Sequence, residues 1–238
     1  MNFIADGVRE AIDLLLHGDP DVVQILGVTL RVAVVSTALA LAIGLPVGLA
    51  LALGGFRGKR AGLIMVNAGL GLPPVLVGLV VALFLFRGAP LGGLSLIYTV
   101  DGVILAQTLL SFPIVAALTA SAVQGVPGAL FDQARALGAS RWRVAALALR
   151  EARVGVLAAV IAALGSALSE VGAVVLVGGN IEGQTQTLAS AVLANVAAGE
   201  YGTAIALGII LLGLILLLTA GLTFAQQRQA PGPLWRAS

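Results

Sequence analysis

Residues 203–224 contain no charged side chain, and of four other stretches of similar length three contain none and one contains a single acid, Glu170. A bilayer's hydrocarbon core is about 30 Å thick and takes about 20 apolar residues as a helix. The other stretches are residues 32–53, with an extension back towards residue 22, then 61–86, 102–123 and 154–177. Inside lipid a backbone must satisfy its own polar groups, which leaves helices for segments of this kind. Only 10% of the 238 residues are charged, against about 25% in a soluble domain. A water-facing globule is excluded. The sequence predicts an all-α polytopic membrane protein with about five transmembrane helices.

The few charges then predict which way those helices run. Arg57, Lys59, Arg60, Arg135, Arg141, Arg143, Arg150, Arg153, Arg228 and Arg236 fall on one side of the alternating spans. Only Arg9, Arg31 and Arg87 fall on the other. The basic side is cytoplasmic by the positive-inside rule. The N-terminus is therefore expected outside and the C-terminus in the cytoplasm. Asp6, Glu10, Asp13, Asp19, Asp21, Asp101, Glu182 and Glu200 all lie on the outer side. The absence of cysteine removes thiolate chemistry and Cys-ligated zinc, and a single histidine, His17, removes any multi-His metal site.

Residues 1–21 lack the basic start and long apolar core of a secretory signal. Phe3, Ile4, Val8, Ile12, Leu15 and Leu16 fall roughly at helical spacing, which predicts a short external amphipathic helix on the outer leaflet. The alternative is a lead-in without a function of its own. A short cytoplasmic tail, residues 225–238, is expected after the last span, with no appended regulatory domain. Pro46, Pro73-Pro74 and Pro113 predict bends within three spans. Gly44 and Gly48, and the row Gly165, Ser169, Ala173, have helix-contact spacing.

Glu170 is the one ionisable residue expected deep in a span, with Ser166 and Ser169 close in sequence. Intramembrane acids are functional candidates because they are costly to desolvate. A hydrogen-bonded structural glutamate is the competing reading. Residues 126–153, VPGALFDQARALGASRWRVAALALREAR, are too polar to span and too helical in composition for a linker. Gly138 interrupts them as a cap or turn would, giving helix, glycine, helix on the cytoplasmic side. Such an Arg-rich elbow suits docking of another protein; a solvated face is the alternative. The only Gly-Lys pair, Gly58-Lys59, has Leu53 where a phosphate loop needs glycine and Arg60 where it needs Ser or Thr. A machine of this kind that runs on ATP must bind it on another chain.

The segment 126–153 resembles the cytoplasmic EAA coupling loop of ABC-importer permeases. Asp132-Gln133-Ala134, three residues, Gly138 and then Ala139-Ser140 stand where that family has Glu-Ala-Ala, three residues, Gly and an apolar segment. Asp132 replaces Glu, Gln133 replaces the first Ala, and Leu149-Arg150 replaces the closing Leu-Pro. The run SALSEVGAVVLVGGNIEGQTQTL, residues 166–188, is similar to the same region of oxyanion permeases of the molybdate, sulfate and tungstate group. Its Ser-Glu-Val-Gly-Ala start and Val-Gly-Gly-Asn-Ile sequence most resemble the tungstate subfamily.

That resemblance implies the transmembrane domain of a type I ABC importer in the cell (inner) membrane, in the lipid bilayer as a multi-pass permease with no catalytic role. It implies a homodimer working with two ABC ATPase subunits and an external substrate-binding protein, with no nucleic-acid partner. No cofactor is expected on this chain, ATP and Mg being held by the ATPase. Asp132, Ala134, Leu137, Gly138, Ala139 and Ser140 become the coupling residues. The cargo is expected to be an oxyanion, tungstate first and then molybdate or sulfate. A dianion crossing such a region wants donors. Ser36, Thr37, Asn67, Gln107, Thr108 and Ser111 supply them near mid-membrane, while Ser169 and Glu170 are gate or dimer-contact candidates. Two other classes predict different sequences. A secondary transporter would carry an inverted repeat and more buried charge. An intramembrane enzyme would carry a nucleophile and base at one depth.

Overall fold

The computed structural model describes residues 3–229, all of whose regular elements are helical. Residues 1–2 and the tail expectation from residue 230 onward, with Arg236, lie outside the described residues. Helix α1 is Phe3–His17 and α2 is Pro20–Leu53, started by Asp19, whose side chain accepts from the amides of Asp21 and Val22. Next come α3 (Lys59–Gly69), α4 (Pro74–Leu85) and α5 (Val100–Gln124). The elbow follows as α6 (Gly128–Ala136) and α7 (Arg141–Glu151). The remaining helices are α8 (Arg153–Ser169), α9 (Gly172–Gly178), α10 (Leu188–Ala198) and α11 (Tyr201–Gln229).

By length and composition three helices can cross a membrane unaided: Pro20–Leu53, Val100–Gln124 and Tyr201–Arg228. By the same measure the bent pairs α3–α4 and α7–α8 bring the number to at most five when each counts as one. Helices α2 and α5 form the centre and run in the same direction. Val32 meets Val103 and Ile104, Gly44 meets Val115, and Gly48 meets Thr119. The glycines permit this close approach: a Cβ on Gly44 would lie 2.8 Å from Val115, and one on Gly48 would lie 2.7 Å from the carbonyl of Ala116. Helix α8 runs the opposite way along α5, with Gly155 against Ala122 and Ala163 against Val115. Helix α11 is antiparallel to α8 in turn, since Gln226 donates to the Val154 carbonyl at 2.8 Å while Leu164 and Leu168 pack with Leu214 and Leu218.

Residues 61–86 bend at Pro73-Pro74 as expected, α3 and α4 meeting at 103°, while two other expectations are corrected. Pro73 and Pro74 lack the amide hydrogens a continuous helix needs, and a residue before proline is pushed out of the helical region. The pair still climbs α5 from end to end. Val66 packs with Ala116, Ala117 and Ala120, Gly69 abuts Pro113, and Val81 and Leu85 pack with Ala106 and Leu110. Residues 154–177 also break, at Glu170, whose backbone is extended (φ −77°, ψ 129°). No proline marks this place. The break lets α9 turn onto α4, where Gly78 lies against Ala173 and Val75 against Gly172. The row Gly165, Ser169, Ala173 is therefore not continuous, and Gly165 meets nothing within 4 Å of where its Cβ would be.

Helix α1 is more than a surface float. Ala11 joins a core with Val22, Ile25, Leu188, Ala206 and Ile210, and the Thr203 hydroxyl donates to Glu10 at 3.1 Å. Val8 and Ile12 stay exposed. Helix α10, outside the expected spans, is apolar but at 11 residues rises only about 16 Å. Thr187 and Ser190 form its capping box. The Leu188 amide donates to Thr29 Oγ1 at 2.9 Å, and Gln24 Nε2 donates to the Gly183 carbonyl, so the 179–187 loop is tied to the start of α2.

Candidate functional site

At the elbow, α6 closes with a Schellman motif. The Ala139 amide donates to the Ala134 carbonyl and the Gly138 amide to the Arg135 carbonyl, both at 2.9 Å. The motif needs a left-handed residue, and Gly138 supplies it at φ +80°. Ser140 then starts α7, its Oγ accepting from the Arg143 amide at 3.4 Å. Asp132 and Arg135 pair at 2.9 Å on the exposed side of α6. Ala134 and Ala139 pack onto a cluster of Val123, Phe131, Val144, Ala148 and Ala152, which fixes the elbow to the ends of α2 and α5.

On the outer side of this anchored turn stand Leu137, 89% exposed, and Trp142, 86% exposed. Exposed large apolar groups on ordered backbone are the usual stuff of partner contacts. Asp132, Gly138 and Ser140 are also exposed, whereas Ala134 and Ala139 pack on the anchor. Trp142 lay outside the motif-based set. Its signal was a tryptophan between Arg141 and Arg143, where a solvated face has no use for one.

Most of the membrane-depth candidates sit in packed seams. Thr108 is buried and donates to the Ile104 carbonyl at 2.7 Å; Ser111 and Gln107 are fully buried. Gln107 and Ser111 occupy the α5 ladder between Val103 and Val115, residues that meet α2 on one flank and α8 or α9 on the other. Both Gln107 amide atoms, Ser111 Oγ and Thr37 Oγ1 are buried without a hydrogen-bond partner. In a low-dielectric seam such orphans are costly. Ser36 reaches the Ala33 carbonyl at 3.3 Å, and Asn67 is exposed on α3.

Ser169 is exposed and donates back to the Gly165 carbonyl at 3.0 Å. Glu170 is half-buried, and its Oε1 accepts the Ala173 amide at 3.1 Å, satisfying one free donor at the start of α9. The carboxylate therefore acts as a helix cap at a broken span. The antiparallel register sets it level with Gln107 and Thr108, near the α3–α4 break through Val75 and Gly172. The α3–α4 and α8–α9 breaks thus lie against one another. Among the described residues no group of three or more His, Cys, Asp and Glu is placed to hold a metal ion.

Packed helices with broken spans and a protruding elbow define the transmembrane domain of a type I ABC importer. The sequence signature of the binding-protein-dependent transport system inner membrane component spans residues 44–230, and the chain belongs to that family. It is 44% identical over 199 residues to a Haloferax volcanii protein described as "Probable anion ABC transporter permease protein", covering 82% of this chain and 86% of that one. It is 38% identical to a tungstate uptake system permease protein of Peptoclostridium acidaminophilum, covering 89% and 93%. A solved bacterial ABC transporter that imports the polysaccharide alginate shares the fold at TM-score 0.73 and 16% identity, over 87% of this chain and 79% of that one. The protein is thus an integral membrane permease subunit of an ABC transporter.

Proposed function

We propose that this chain is the translocation subunit of an ATP-driven oxyanion importer with tungstate as its cargo. The observation that carries the coupling role is the anchored Gly138 turn with Leu137 and Trp142 presented beyond it. Two copies pair with two ATPase subunits, which hold ATP and Mg, and with an external binding protein that delivers the anion. This chain does no bond-breaking chemistry. The basic elbow lies in the cytoplasm, residues 1–21 lie outside, 22–224 form the permease unit with 126–153 as the coupling loop, and 225–238 form a cytoplasmic tail.

ATP binding draws the ATPases together, and the load passes through Asp132, Ala134, Leu137, Gly138, Ala139 and Ser140 to α5 and α8, the helices on either side. The bundle then opens outward to accept the anion. Thr108 and Ser111 supply hydroxyl donors once the α2–α5–α8 seam loosens, and the orphaned amide of Gln107 supports that reading, because a dianion satisfies what the closed core leaves unpaired. Ser169 and Glu170 gate the same layer; with its Oε1 capping α9, Glu170 acts on helix geometry and not as an anion ligand.

The test is purification of the tagged chain in mild detergent together with an uptake assay. A phosphate-loop ATPase retained at equal stoichiometry, with tungstate uptake that a tenfold excess of sulfate leaves intact, is expected. A chain that purifies alone and transports without ATP would overturn the reading.

A further inference from the structure

A cavity of about 180 Å³ lies where α7 meets α8, lined by Arg150, Glu151, Arg153 and Val154. One water needs about 10–15 Å³ on a comparable measure, so the space admits a group the size of a phosphate. We propose that this crook holds the phosphodiester headgroup of an anionic membrane phospholipid. Nothing in the coupling or transport roles above uses these residues in that way.

Position is the first argument. Helices α7 and α8 meet at 72° on the buried hinge Ala152. The charged helix ends there, and the apolar run of α8 begins at Val154. A polar cavity at this junction lies at headgroup level, at the edge of the hydrocarbon. The end of α11 reaches the same place through the bond from Gln226 to the Val154 carbonyl. Basic pockets between helices on the cytoplasmic side are the usual form of a headgroup site.

Charge decides which oxyanion fits. Arg150 brings a planar guanidinium of the kind that matches phosphate oxygens, Arg153 adds its charge to the same lining, and Glu151 lines the same wall. The lining therefore carries one net positive charge. A phosphodiester, a monoanion, balances it, whereas a free dianion such as tungstate leaves the site with excess negative charge beside Glu151. An occupant bridging the end of α7 and the start of α8 fixes their angle, and with it the link between elbow and membrane helix.

The lipid claim rests on the cytoplasmic placement proposed above, but its readout needs no ATPase. The full-length chain is reconstituted in nanodiscs of phosphatidylcholine with phosphatidylglycerol, released, and weighed by native mass spectrometry. One phosphatidylglycerol retained per chain is expected. Arg150→Gln with Arg153→Gln should lower that occupancy about tenfold or more, the loss expected when charge-assisted contacts worth at least about 1.4 kcal/mol go. Arg141→Gln with Arg143→Gln, on the same helix away from the cavity, should keep it. Equal retention in both double variants, with unchanged melting temperature, overturns the site. Displacement of phosphatidylglycerol by millimolar inorganic phosphate or tungstate overturns the lipid as its occupant in favour of the free anion. A missing ATPase partner would sink the importer reading and leave the lipid result standing.

Discussion

Gly138 shows what one residue contributes. Its left-handed backbone ends α6 and leaves open space where a Cβ would go, so conformation and not crowding limits substitution. A β-branched side chain is poorly tolerated there, at a cost of at least about 1–2 kcal/mol, while asparagine adopts the region more readily. Gly138→Val should lose ATPase retention in the pull-down, and Gly138→Asn should keep most of it. Equal behaviour would mean the turn does not position the elbow. Glu170 makes the opposite case. Glutamine still offers an oxygen to the Ala173 amide and leucine does not, so Glu170→Leu should lose about 0.5–2 kcal/mol in detergent unfolding while Glu170→Gln stays near the parent. Near-parent uptake by the glutamine variant would agree with a capping role, and complete loss with normal assembly would point to an obligatory charge. The Gly138 turn was legible because a glycine inside an Ala, Leu and Arg-rich helix stands out. Glu170's cap was not, because the break it serves is made by α4 pressing Val75 and Gly78 onto Gly172 and Ala173.

At the level of elements, the α2–α5 seam is set by small residues. Both glycines approach α5 against atoms that no rotamer change can move. A Cβ on Gly44 would meet the Val115 Cβ at 2.8 Å, and one on Gly48 would meet the Ala116 backbone carbonyl at 2.7 Å. Gly44→Ala and Gly48→Ala should therefore each destabilise by about 1–3 kcal/mol of overpacking, read as melting temperature in detergent. No loss in either variant would mean the seam is looser than described. Gln107 on the same seam predicts a split result. Gln107→Leu removes a buried unpaired amide and should leave stability equal or higher, while uptake falls if that amide serves the anion. The sequence located the Gly44–Gly48 spacing but not its partner, since periodicity marks a face without saying what lies against it. Pro73-Pro74 told of a bend; its 103° size came from α3 and α4 each packing on a different half of α5.

Across the whole molecule, α2, α5 and α11 run one way and α8 runs the other, with the α3–α4 pair climbing α5 in reverse. The proposed orientation, with residues 1–21 outside and the end of α11 inside, is open to a direct test. Membrane-impermeant labelling of intact cells should reach a cysteine introduced at His17 and miss one at Arg228; the reverse pattern would overturn the orientation. The class of the chain, its helical spans, its sidedness and its elbow are all expectations a reader could draw from the sequence, because hydropathy, charge asymmetry and a misplaced glycine act locally along the chain. The fold decided the rest. It turned a straight fourth span into α8 and α9, docked α1 onto α11, folded α10 against α2, and packed Thr108 and Ser111 into a buried seam. Each of these depends on which apolar face meets which, and in a chain that is 59% hydrophobic nearly every face is a candidate, so only the packed structure selects among them.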